Sequence, residues 1–187
     1  MTLTARVLYL GGARSGKSTA AEARVAELPT TYVATSSSDP ADPEWQDRIT
    51  LHRARRPEHW RTEETRDLPQ LVATATPEQP VLIDCLTLWL SGMLDDLNAW
   101  SMPTESAALA TANQAISDLT EAIVAAAGGV VLVSNEVGSG IVPDTVSGRV
   151  FRDLLGRCNT RVAAACDEVN LVVAGCIVPV KPIGGSA

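Results

Sequence analysis

Arg6-Val7-Leu8-Tyr9-Leu10-Gly11-Gly12-Ala13-Arg14-Ser15-Gly16-Lys17-Ser18 is the stretch of this chain whose reading decides the fold. Its first five residues form a β-rich apolar run of the kind that builds a strand buried on both faces. The last eight fit G-x-x-x-x-G-K-[ST] at every fixed position. That spacing suits anion binding. A strand delivers the chain into a tight loop whose backbone N–H groups turn inward. Glycines permit the angles and the close approach, and the following helix adds its positive N-terminal end. Gly11, Gly12, Ala13, Arg14, Ser15 and Gly16 would cradle phosphates. Lys17 would reach the β- and γ-phosphates, and Ser18 would give an oxygen to Mg²⁺. The expected ligand is a nucleoside triphosphate with Mg²⁺.

Outward from this loop the chain alternates. Residues 20–28 predict a helix rich in Ala and Glu and closed by Pro29; residues 31–34 predict a strand, followed by a polar loop. A charged helical pattern over 43–55 ends before Pro57, then come a short strand at 60–64 and a helix at 68–75. Residues 81–84 are an apolar strand ending in a carboxylate, with a helix over 86–97. An Ala-rich helix over 106–127 stops at Gly128-Gly129. A strand at 130–134, a Gly-rich loop, a helix over 146–167 and a last clear strand at 169–174 complete the pattern, with a frayed tail beyond Lys181. Strands alternating with helices predict one α/β domain spanning 1–187. The expected fold is a P-loop NTPase (RecA-like), a mostly parallel sheet with helices on both faces.

Composition agrees. The 187 residues are 45% hydrophobic with a mean hydropathy of +0.09, enough for a sizeable core. Aromatics make up only 4%, so aliphatic side chains must fill that core. A net charge of −7 argues against a protein that grips nucleic acid with its whole surface. Cys85, Cys158, Cys166 and Cys176 form no Cys-x-x-Cys pair, and only two histidines accompany them, so free thiols are expected rather than structural zinc. The N-terminal apolar run is too short for a signal-peptide core or a membrane span, and a cytoplasmic protein is expected.

Other residues invite a role. Asp84 ends a strand on the rim where ligands of α/β sheets collect, so it is either a metal-associated carboxylate or the N-cap of the next helix. Thr35 and Ser36 share that rim as site residues or turn formers. The segment 48–60 holds both histidines, His52 and His59, among Arg53, Arg55 and Arg56. An imidazole amid arginines beside bound phosphates could attack phosphorus, the arginines stabilising the developing charge. The alternative is a solvated helix face.

Six strings in order sharpen the choice: GGARSGKS at 11–18, YVATS at 32–36, RITLHRARRPEHWRTEE at 48–64, LIDCLTLWLS at 82–91, NEVGSGIVP at 135–143 and FRDLLGRCN at 151–159. Together they resemble the bifunctional adenosylcobinamide kinase / adenosylcobinamide-phosphate guanylyltransferases of cobalamin biosynthesis, over residues 7–175. The resemblance implies two steps. The hydroxyl of the cobinamide's aminopropanol arm takes the γ-phosphoryl of ATP or GTP. A histidine then attacks the α-phosphorus of GTP, and the guanylyl group passes to the cobinamide phosphate. By the same matching His52 is the nucleophile, and Lys17 clamps the phosphates. Ala34, Thr35, Ser36, Arg53, Ala54, Arg55, Arg56, Glu64 and Asp84 are nucleotide contacts, with Ser18 and Asp84 at the metal. Glu64 could accept two hydrogen bonds from the N1–H and N2–H₂ edge of guanine, which adenine lacks. The resemblance also implies a homotrimer. Ser91-Gly92 departs from the Thr-Asn pair frequent in relatives, a change expected to touch packing or the corrinoid pocket. Two rivals make different predictions. A kinase of another small metabolite would not need His52, and a nucleotide switch or assembly ATPase would ignore corrinoids.

Overall fold

The computed structural model describes residues 1–35, 50, 53–54, 56–103 and 106–183. Among these, seven strands form one sheet: β1 (Arg6–Gly11), β2 (Thr31–Ala34), β3 (Arg61–Glu64), β4 (Val81–Asp84), β5 (Val130–Asn135), β6 (Glu168–Val173) and β7 (Cys176–Lys181). Their order is β3-β2-β4-β5-β1-β6-β7, parallel throughout except for the antiparallel β6–β7 edge pair. Five helices accompany them: α1 (Lys17–Val25), α2 (Leu68–Val72), α3 (Leu86–Asp96), α4 (Ala107–Ala125) and α5 (Val146–Ala165). The expected mostly parallel α/β sheet is what forms.

Both faces of the sheet are covered, and the strand sequences show why. Side chains alternate across the pleat, so Leu8, Ile83, Val130 and Leu132 join one core with Leu90, Leu94, Ile116, Leu119 and Leu155 from the helices. Their neighbours Val7, Tyr9, Leu82, Val131 and Val133 enter a second core on the opposite face with Ala21 and Val25 of α1. Continuous apolar runs in the central strands are what two covered faces demand. Helix starts are set by local side chains. Ser106 accepts from the Leu109 N–H ahead of α4, and Thr145 accepts from the Gly148 N–H ahead of α5.

Two differences from the sequence reading stand out, and one expected packing change takes a definite form. α1 begins at Lys17, three residues before the expected start, because Gly16 in the left-handed region serves as its N-cap and the loop winds directly into the helix. β7 was not expected at all; it returns from β6 through the tight turn Ala174-Gly175, both at positive φ. Gly92, in the departure from the Thr-Asn pair, lets the Arg66 guanidinium lie across α3. A Cβ at 92 would meet Arg66 Cζ at 2.5 Å, while Arg66 donates to the Gly92 carbonyl and to Asp96. The helix expected over 43–55 falls largely outside the described residues.

Candidate active site

All six parallel strands point their C-terminal ends at one rim, and the phosphate loop leaves from its middle. Strand β5 lies between β1 and β4, so Gly11 and Asp84 are two strands apart, with Asn135 between them in register with Gly11. Ligands of open α/β sheets bind in the crevice outside the carboxyl ends of the strands, which is this rim.

The loop is built for close approach. A Cβ on Gly11 would lie 2.5 Å from both Ser15 Oγ and the Val172 carbonyl oxygen, so only glycine fits. Arg14 at φ 57° and Gly16 at φ 95° turn the chain twice. α1 has no side-chain cap, which leaves its first N–H groups for an anion. The loop is pinned from both sides: the Glu136 N–H donates to the Gly11 carbonyl at 3.2 Å, and the Gly175 N–H donates to the Ser15 carbonyl at 2.8 Å. Ser15 Oγ is buried without a partner. Lys17 Nζ donates to the Gly12 carbonyl at 3.1 Å. Burial lowers the Lys17 pKa, opposed by the fields of Cys85 and Asp84.

One of the two readings of Asp84 falls away. The N-cap of α3 is Cys85, without a side-chain bond, so Asp84 does not cap the helix. Its Oδ2 accepts from the Tyr32 hydroxyl at 3.0 Å. Tyr32 is buried, and burial first, then the Asp84 charge, push its pKa far up, so it remains a donor. Ser18 and Asp84 offer hydroxyl and carboxylate oxygen, the hard donors Mg²⁺ takes. No group of three or more His, Cys, Asp or Glu side chains suited to a metal occurs among the described residues. Mg²⁺ held by few protein ligands, with phosphates supplying the rest, fits this donor set.

Thr35 is a joint rather than an open contact. Its hydroxyl accepts from the Cys85 N–H at 3.0 Å and donates to the Cys85 carbonyl at 2.6 Å, tying the ends of β2 and β4 together. Ala34 lies between Glu64 and Asp84 in register. Arg53 pairs with Glu64, both more than half exposed, an arrangement worth little by itself and open to exchange for a ligand. Ala54 is exposed beside it. Arg56 stacks over the Tyr32 ring at 3.7 Å and donates to Thr62 Oγ1, while its Nε is buried without an acceptor. An anionic ligand would satisfy that donor. Ser36, His52 and Arg55 lie outside the described residues. The other histidine, His59, holds the Ala26 carbonyl at 3.0 Å, a structural tie to the end of α1.

Sequence reading missed the polar residues beneath this rim. Ser134 Oγ donates to Asn159 Oδ1 at 2.7 Å, Asn159 Nδ2 donates to the Asn135 carbonyl at 3.0 Å, and the Asn135 N–H donates to Thr87 Oγ1 at 2.9 Å. Thr87, Asn135 and Asn159 sit inside strings quoted for the resemblance, and Ser134 directly precedes one, yet each alone reads as an ordinary helix, loop or strand residue.

A family model described as cobinamide kinase / cobinamide phosphate guanyltransferase matches residues 7–180. The bifunctional adenosylcobalamin biosynthesis protein CobU of Salmonella typhimurium is 43% identical over 94% of this chain and 99% of its own length. Its Escherichia coli namesake is 42% identical over 94% and 99%. The protein CobP of Pseudomonas aeruginosa, of the same description, is 40% identical over 94% and 97%. Among solved structures, a type III secretion system ATPase superposes with TM-score 0.56 at 12% identity, over 90% of this chain and 51% of that one. A Pyrococcus horikoshii protein superposes with TM-score 0.52 at 9% identity, over 98% and 89%. These two speak to the fold. No helix among the described residues is long and apolar enough to cross a membrane.

Proposed function

The chain belongs to the cobinamide kinase / cobinamide phosphate guanyltransferase family, and from that premise we propose that one nucleotide site serves both of its reactions. The observation that carries the proposal is the phosphate loop, with Lys17 and Asp84 on the same side of it and the Arg53–Glu64 and Arg56–Tyr32 pairs along the rim. In the first reaction the corrinoid's side-chain hydroxyl oxygen bonds to the γ-phosphorus of ATP or GTP. The γ-phosphorus–oxygen bond to the β-phosphate breaks, the hydroxyl proton leaves, and a nucleoside diphosphate departs. Lys17 and the loop N–H groups hold the β- and γ-phosphates for in-line transfer. Mg²⁺, which Ser18 and Asp84 would hold, supplies charge neutralisation on those oxygens.

In the second reaction a ring nitrogen of His52 bonds to the α-phosphorus of GTP, and pyrophosphate leaves into the Lys17 cradle. A phosphate oxygen of the cobinamide phosphate then displaces the histidine, giving adenosylcobinamide-GDP. The imidazole must be neutral to attack, and neighbouring arginines favour that form. Arg53 and Arg56 would take up charge on the α-phosphate, with Glu64 at the guanine. The Glu64 carboxylate would exchange Arg53 for the base edge. Catalysis in the cytoplasm by a homotrimer completes the reading.

The test is incubation with Mg²⁺ and α-³²P-labelled GTP beside His52→Ala, followed by denaturing electrophoresis. An acid-labile, base-stable label that vanishes in the variant is expected. A folded, GTP-binding protein that takes no label would sink the covalent step and leave a plain kinase.

A further inference from the structure

Buried polar atoms without partners gather on this rim: Ser15 Oγ, Arg56 Nε and Asn135 Oδ1. The first two are donors, and phosphate oxygens satisfy donors. Asn135 Oδ1 differs in kind. An amide oxygen accepts only, so neither a phosphate nor a carboxylate can complete it. Whatever meets it brings an O–H or N–H.

The surroundings fix where this acceptor sits. Asn135 ends β5, in register with Gly11 of β1 and two residues beyond the Asp84 register position of Val133. It therefore lies between the phosphate loop and Asp84, where Lys17 also reaches. This is the γ-phosphate side of the loop. Its backbone is held from two helices, Thr87 of α3 taking its N–H and Asn159 of α5 serving its carbonyl, with Ser134 Oγ orienting Asn159. Thr87, Ser134 and Asn159 are each less than one-tenth exposed. A buried polar network that spends three side chains on one residue's backbone is the support a positioned functional group requires.

We propose that Asn135 is a catalytic residue of the phosphoryl-transfer step: its Oδ1 accepts a hydrogen bond from the corrinoid's attacking hydroxyl and aligns that oxygen with the γ-phosphorus. The inference rests on the kinase reading above. It leaves guanylyl transfer untouched, because that step takes place at the α-phosphorus and has no attacking hydroxyl. Asn135 moves no proton; it orients the O–H while the bond to phosphorus forms.

Asn135→Ala removes the acceptor and keeps the backbone bonds to Thr87 and Asn159. Three measurements on wild type and variant test it: phosphorylation of adenosylcobinamide from γ-³²P ATP, nucleotide affinity, and labelling by α-³²P GTP across a Mg²⁺ titration. The expected result is a fall of about 100-fold in the kinase kcat, as misalignment of a reacting oxygen brings. Nucleotide affinity and GTP labelling, which also report folding, should stay within about twofold of wild type. Kinase turnover unchanged in the variant overturns the proposal. So does an equal fall in both steps with a raised Mg²⁺ requirement, since the acceptor would then serve a metal-bound water common to both. A wild-type protein that phosphorylates no corrinoid removes the kinase reading itself, and this inference with it.

Discussion

At the scale of the residue, the site is defined by how each polar group's second partner is chosen. The Tyr32 hydroxyl donates to Asp84 at 3.0 Å, and its ring packs against Trp60, at 6.1 Å between centroids, and against the Arg56 guanidinium. Burial keeps the phenol protonated, so the donor is permanent and one carboxylate oxygen is always oriented. Tyr32→Phe preserves the stack and removes only that donor. A supporting hydrogen bond to a metal-bearing carboxylate is worth about 10-fold or more in metal affinity. The expected outcome is a rise of that size in the Mg²⁺ concentration for half-maximal phosphoryl transfer, with a stability loss of only about 1 kcal/mol. Nucleotide-dependent turnover titrated with Mg²⁺, beside thermal unfolding, decides it. An unchanged Mg²⁺ requirement would mean that Asp84 does not face the metal. Sequence made Asp84 visible, because a carboxylate ending an apolar run is a local feature. It hid Tyr32, whose role exists only once β2 is paired with β4.

At the scale of the element, legibility followed how local the cause is. The phosphate loop was readable because its backbone geometry makes local demands that glycine alone meets. The order of strands was not: nothing in the run Val130–Asn135 says that it inserts between β1 and β4, which is what brings Asn135 to the loop. β7 left a signal, a two-residue turn between apolar runs. Pro179 stands inside the second run, and a sheet edge is where a strand tolerates proline. The missed hairpin matters to the site. Its turn residue Gly175 at φ 80° donates its N–H to the Ser15 carbonyl, and its Cα lies 3.4 Å from where a Gly16 Cβ would stand. Gly175→Pro removes the N–H and cannot adopt that φ. We expect nucleotide affinity to fall about fivefold or more while the sheet survives, the hydrogen bond being worth ~1 kcal/mol in holding the loop. Titration with a fluorescent GTP analogue and circular dichroism on the same sample give both halves. Affinity equal to wild type would show that the loop holds its shape without the hairpin.

At the scale of the whole molecule, the two covered faces of the sheet make the cysteines reporters of global opening. Cys85 lies in one core, Cys158 and Cys166 in the other, while Cys176 is exposed on β7. Burial pushes the Cys85 thiol up to about 11 and those of Cys158 and Cys166 up to about 12. A folded pKa above the unfolded value, ~8.5, stabilises the fold below that pH. The contribution is lost as pH rises from there through 11 to 12. A chromogenic disulfide reagent near neutral pH should therefore meet one fast thiol and three slow ones, the fast phase vanishing in Cys176→Ser. The slow phase requires opening of the sheet, so it should quicken as pH climbs above about 9. It should also slow with GTP and Mg²⁺, by about 100-fold when the free nucleotide is 100 times its Kd. A slow phase indifferent to nucleotide would mean that the buried thiols open locally, without disturbing the phosphate loop. The fast phase carries its own information, because Ile177, Val178 and Val180 leave β7 with an apolar exposed surface. In the expected homotrimer that edge is a candidate contact between copies. If Cys176 becomes protected as protein concentration rises, in step with the assembly seen by analytical ultracentrifugation, β7 is part of the subunit contact. If its rate is independent of concentration while the protein is fully assembled, the contact lies elsewhere on the molecule.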